Sequence, residues 1–406
     1  MGFFSGRVSF MRFQVKGKSP NSFGPEYLER LESKAIGKER VASSDGVEAG
    51  WSAGGHLLDL KFDLAKNIVD DTLNFALRVD ANKLPSDLLK AYTQIELDAL
   101  AAENPSGMPS KRQKREARMA AMDKLNQEAA DGRFLKRKIF PMLWDARSNE
   151  LLVGTTSISI LDRLTLLFDQ TFGQKLEPLS AGVLSYRLAQ PRSQTRAVDD
   201  AQLSSFHKSG QGGQAQWIVD ESNRDFLGNE LLVWLWYLQA QGNESIKLED
   251  GSELAFMLVR SLSLECPKGQ DGRESISSDA PTRLPEAMRA LQSGKLPRKI
   301  GLTIVRHDQT YELSINAELF SVSGASFHPP RLLRIVPDWK NAWVRFDIWW
   351  KLWIFFWMHL EKFAWPKTGA RIFPRFENGC ARAPRKNNLR SNFSIPLDFC
   401  NFKTNT

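Results

Sequence analysis

The segment from Lys83 to Ala130 leaves this chain few folds to choose from. KLPSDLLKAYTQIELDALAAE places Ser86 as an N-cap just after Pro85, with Leu88, Tyr92, Ile95 and Ala99 at helical spacing. NPSGMP breaks the pattern, and Ser110 followed three residues later by Gln113 is the capping-box signature of a second helix, running to about Ala130. Two long helices across a short Pro/Gly break read as a helical hairpin over residues 86–131, and the rest of the fold has to be built on either side of it.

The flanks mix strands and helices. VSFMRFQV (8–15) alternates like a half-buried strand, EYLERLESKAI reads as a short helix, and NFALRV leads into the hairpin as a strand. FPMLWD and ELLVGTTS read as strands joined by a polar ARSN turn, and ILDRLTLLFDQTFG as a helix closing at Gly173. PRSQTRAVDDAQLSSFHKSGQGGQ is polar and Gly/Ser-rich, which predicts a loop. DFLGNELLVWLWYLQA then reads as a helix, and two strand hairpins follow, around Asp250-Gly251 and around His307 to Gln309. Strands and helices in this order predict an α+β fold, not a doubly wound sheet. The expected division is a central α+β domain (1–85 with 132–190), the hairpin (86–131), a second α+β domain (191–330) and an atypical tail (331–406).

Charge separates the tail from the body. The net charge is +8, but residues 331–406 hold 14 Lys and Arg against 5 Asp and Glu, which leaves residues 1–330 at −1. The tail includes FDIWWKLWIFFWMHL (346–360), where Asp347, Lys351 and His359 interrupt the run of about 20 apolar residues that a membrane-spanning helix needs. A leucine codon ending in TG before a codon starting with G reads as TGG, tryptophan, one base out of register. Residues from about Arg331 onward are therefore expected to be a frame-shifted translation of an ordinary helical C-terminus, the alternative being a genuine but unusual aromatic helix. The alternative function that the tail suggests is association with a membrane surface through its aromatic and cationic residues.

Little in the sequence favours catalysis. GWSAG (50–54) satisfies the nucleophile-elbow pattern at Ser52, but that chemistry needs a strand before the serine and a helix after it. Here SSDGVEA precedes it and Gly54-Gly55 follows, so a tight turn with Trp51 packed is expected. GQGGQA (210–215) lacks the strand-then-helix order of a phosphate cradle. His56, His207, His307, His328 and His359 are not at metal-ligand spacing, and Cys266, Cys380 and Cys400 form no disulfide or metal framework. Glu32-Ser33-Lys34 reads as a solvated helix face. The N-terminal stretch has no continuous apolar core of a secretory signal. No cofactor or metal is expected, and a reducing cytoplasm is the expected compartment.

The basic clusters carry more. SKRQKREAR sets Lys111, Lys114, Arg115 and Arg118 on one helical stripe beside Arg112, and Met122, Leu125 and Ala129 continue that stripe as apolar residues. This describes an arm whose root is buried and whose far end projects positive charge. RFLKRK follows the hairpin with Arg133, Lys136, Arg137 and Lys138 around Phe134. Such clusters on a near-neutral body suit phosphate contacts that do not read sequence.

The order of Gly50-Trp51, Lys83-Leu84-Pro85, the hairpin, the basic-aromatic stretch, Trp144-Asp145 and ELLVGTTS resembles the RdgC family of recombination-associated proteins. FLGNELLVWLWY (226–237) is similar to a segment of its divergent members, and the likeness covers about residues 8–325. The resemblance implies a non-enzymatic, ring-shaped homodimer, associated with the nucleoid, that occupies duplex DNA and so limits access of the RecA recombinase; single-stranded DNA is the alternative partner. It also implies a dimer-interface role for Phe134, although Ala130-Asp131-Gly132-Arg133 stands where the family carries Leu-Pro before that phenylalanine.

Overall fold

A computed structural model describes residues 7–18, 20–38, 46–103, 107–201, 224–247, 253–265, 272–306 and 309–328. The Trp-rich tail, GQGGQA and the three cysteines lie outside the described residues. The fold is mixed α+β and forms two compact units. Among the described residues, one runs Arg12–Glu177, and the other takes residues 7–11 together with those from Pro178 onward. The first strand, β1 (Val8–Lys16), therefore contributes residues to both.

The first unit continues through α1 (Pro25–Ser33), β2 (Val47–Ser52), α2 (Leu64–Asn67), β3 (Ile68–Val69), β4 (Thr72–Asn82), α3 (Ser86–Glu103), α4 (Lys111–Ala129), β5 (Leu135–Asp145), β6 (Glu150–Val153), α5 (Ile158–Phe172) and β7 (Lys175–Pro178). Its strands lie in the order β6-β5-β4-β2, each neighbouring pair antiparallel. Alternation along β4 sends Leu73, Phe75, Leu77 and Val79 to one face, all buried. On that side the fully buried Trp144 ring lies 5.2 Å from both Phe168 and Phe172 of α5, and the buried Trp51 ring 5.2 Å from Phe75. A buried indole N–H needs an acceptor. Trp51 Nε1 donates to Thr171 Oγ1 at 2.8 Å, and Trp144 Nε1 to Asn149 Oδ1 at 3.0 Å.

Strand β2 departs from expectation, since SSDGVEA looked poor in β-formers. Gly50 explains it: a Cβ there would lie 2.5 Å from Ile36 Cα. Without one, the Ile36 N–H donates to the Trp51 carbonyl and the Trp51 N–H to Lys34. Close backbone approach, and not β-propensity, holds this edge. Arg12 and Glu150 meet in a buried ion pair at 2.6 Å.

The second unit comprises α6 (Ala181–Ala189), α7 (Thr195–Asp199), α8 (Leu227–Ala240), β8 (Ser245–Lys247), β9 (Glu253–Glu265), β10 (Arg273–Ser278), α9 (Pro285–Gln292), β11 (Leu296–Arg306), β12 (Gln309–Asn316) and β13 (Val322–His328). The order β10-β9-β11-β12-β13 is antiparallel throughout, and Val8 and Phe10 of β1 pair with Ala325 and Val322 of β13. The two expected strand hairpins are β8–β9 and β11–β12. Helix α8 is apolar on nearly every side and correspondingly buried. Its Gly228 admits the Ala317 carbonyl into space that a Cβ would fill, and Asn229 Nδ2 donates to the Pro297 carbonyl at 2.9 Å. The polar stretch read as a loop contains α7, because Val198 buries itself against Ala189, Phe226 and Leu227. Among the described residues no helix is long and apolar enough to cross a membrane.

Candidate nucleic-acid interface

Helices α3 and α4 form the hairpin foreseen over residues 86–131. The second helix starts on a complete capping box: Gln113 N–H donates to Ser110 Oγ at 3.3 Å, and Ser110 N–H to Gln113 Oε1 at 2.9 Å. Ala117, Ala121, Leu125 and Ala129 repeat every four residues and are buried, so three small side chains let the helices pack closely. On α3 the inward face differs from the expected stripe. Leu88, Ile95 and Ala99 are exposed, and the half-buried positions are Leu89, Tyr92, Thr93, Glu96, Leu97, Leu100 and Ala101. Of the expected stripe only Tyr92 turns inward, and Leu89, Leu97 and Leu100 take the apolar places beside it.

A polar clasp fixes the root of the arm. The Tyr92 hydroxyl donates to Glu128 Oε1 at 2.6 Å, and the Lys124 ammonium sits 4.6 Å from the centre of the Tyr92 ring. The hydrogen bond to the Glu128 carboxylate, with some burial, holds Tyr92 above the usual phenol range. Sequence reading missed Lys124 and Glu128, whose partner lies 36 residues away.

The basic residues fall into two states. Lys111, Lys114, Arg115, Arg118, Lys136 and Lys138 are exposed and make no ion pair among the described residues. The other three are engaged. Arg112 pairs with Glu116 at 2.7 Å, Arg133 with Asp131 at 2.6 Å and Glu128 at 3.7 Å, and Arg137 stands 3.5 Å from Asp80. Those carboxylates set the local charge. Arg133 holds Asp131 below the carboxylate range mainly through its side-chain hydrogen bond, and Asp131 in turn holds Arg133 above its own. Asp80 already receives two hydrogen bonds from the buried Arg78, at 2.5 and 2.8 Å.

The clusters lie at opposite ends of the arm. Lys111 is 18 residues from Ala129 along α4, a rise of about 27 Å. Lys136 and Lys138 lie on β5, opposite Ala81 and Val79 of β4, on one strand face, while Arg137 points to the other. The stripe of Lys111, Lys114 and Arg118 does pass into half-buried Met122 and buried Leu125 and Ala129. Phe134 is half-buried, and its carbonyl accepts from the Lys83 N–H at 3.1 Å.

The motifs with catalytic patterns are built differently. Ser52 ends a strand, not a turn as expected, but a loop follows in place of a helix. The side chain is fully buried, and its Oγ donates to the Asp59 carbonyl at 2.7 Å. His56 is exposed, and its Nδ1 accepts from the Leu58 N–H at 3.2 Å. Glu32 forms an exposed pair with Lys38. Among the described residues no group of His, Cys, Asp and Glu is placed to hold a metal ion.

Compared with known proteins, the sequence matches no family model and no curated protein.

Proposed function

We propose that this protein is a non-enzymatic, RdgC-like DNA-binding protein. It holds duplex DNA through its phosphates with little sequence preference, acts as a homodimer, and limits the access of RecA to DNA. The observation that carries the reading is the pair of exposed cation clusters that make no ion pair among the described residues, Lys111, Lys114, Arg115 and Arg118 at the far half of α4 and Lys136 and Lys138 at its base. Cations that have no carboxylate partner are available to displace the counterions of a phosphate backbone, and that release supplies affinity without base readout. The two clusters stand at the two ends of the arm, so they suit phosphates at separate points along a duplex.

The test is a titration of duplex DNA against salt, with the full chain and a variant in which Lys114, Arg115, Lys136 and Arg137 are all Ala. The expected outcome is a log–log slope of about −0.9 per neutralised phosphate, with a marked loss in the variant. Salt-insensitive binding, or a variant that binds like the wild type, would overturn the reading. RecA strand exchange with and without the protein then tests the recombination role.

A further inference from the structure

At the far end of the arm, between the two helices, Met108 is 77% exposed, more than any other large apolar residue described. Gly107 before it adopts φ +64°, in the left-handed region, and Pro109 after it leads into the capping box at Ser110. The backbone on the α4 side is therefore defined, and Lys111, Arg112, Lys114 and Arg115 follow within the next two turns. An apolar side chain offered to water at the tip of an arm, with the exposed cations Lys111, Lys114 and Arg115 on its α4 side, has the composition of a wedge. In the minor groove such residues, methionine among them, enter between base pairs and open the stack while flanking cations hold the phosphates on either side.

We infer that Met108 inserts into duplex DNA as a wedge and unstacks a base step beneath the tip of the hairpin. The inference rests on the DNA-binding reading and adds a deformation to it: the arm would favour steps that open easily, such as TA and CA/TG, without any hydrogen bond to a base.

The full chain is mixed with a duplex that carries 2-aminopurine beside a TA step, and fluorescence is read at saturation. Wild type is expected to raise the signal about threefold or more. Met108→Ser should bind with a Kd within about threefold of wild type yet leave the signal near that of free duplex, and Met108→Phe should restore it. Saturated wild-type binding with no rise, or an equal rise with Met108→Ser, overturns the wedge and leaves electrostatic binding standing. Failure of the wild type to bind duplex at low salt overturns both.

Discussion

The Tyr92 hydroxyl reaches across the hairpin to Glu128 at 2.6 Å, while Lys124 covers the ring of the same tyrosine. Glu128 also stands 3.7 Å from Arg133 in the segment that leads to β5, so one carboxylate ties both helices to the start of a strand. Tyr92→Phe keeps the ring and loses only the hydroxyl. Faster amide exchange is expected at the root of α3 and α4, with protection of the β4–β5 ladder unchanged. Equal exchange throughout would show that the clasp does not hold the arm.

The ion-pair states of the basic residues separate two groups of substitutions. Replacing Lys111, Lys114, Lys136 or Lys138 by Ala should reduce the salt slope of duplex binding by about 0.9 each where the side chain meets a phosphate. Arg112→Ala and Arg133→Ala should change it less, because each cation is already balanced by Glu116 or Asp131. Equal effects from the two groups would argue against ion-pair state as the deciding property.

Glu150→Gln leaves the buried Arg12 guanidinium facing a neutral amide in place of a carboxylate. Loss of one member of a buried pair costs about 3–5 kcal/mol. Urea unfolding should show that loss as a lower midpoint at an unchanged slope.

Gly228→Ala would drive a methyl group into the Ala317 carbonyl. Overpacking of this kind costs about 1–3 kcal/mol or more, and the cost should show in unfolding followed through the tryptophans of α8, Trp234 and Trp236. Gly242→Ala offers a comparison: nothing lies within 4 Å of a Cβ there, and only the strain of φ +75° opposes it.

Alkaline pH should weaken the second unit. Burial holds the Tyr311 phenol well above its usual range. In the unfolded chain the same group ionises near pH 10. Below that pH both states keep the proton and the stability is fully present. Above it only the unfolded state releases the proton, so stability falls as pH rises from about 10 toward the folded pKa. Tyr311→Phe should show a shallower decline between about pH 9 and 11 in chemical unfolding.

The sequence displayed the elements whose signals are local. The capping box at Ser110–Gln113, the glycine stop at Gly173 and the apolar run of α8 each declare themselves within a few residues, and the structure carries all three. It did not display β2, since that strand depends on the missing side chain of Gly50 and on a neighbour, Ile36, that only the fold brings close. Helix α7 was hidden for a similar reason, as one buried residue, Val198, anchors an otherwise polar stretch. For the candidate interface, the presence of the cations was legible and their availability was not. Whether Arg133 or Lys136 stays free depends on where Asp131, Glu128 and Asp80 come to rest.

The division of β1 between the two units bears on how the chain is made. Val8 finds Ala325, and Ser9 Oγ accepts from the Gly324 N–H at 2.9 Å, the latter a partnership between residues 315 positions apart in the chain. Until β13 emerges, the first half of β1 has no mate there and the second unit's sheet lacks a strand. Closing a loop of that length makes this step slow. Exposed strand edges are then a hazard during synthesis, so nascent chains stalled before Val322 should be especially prone to aggregate or to call on chaperones.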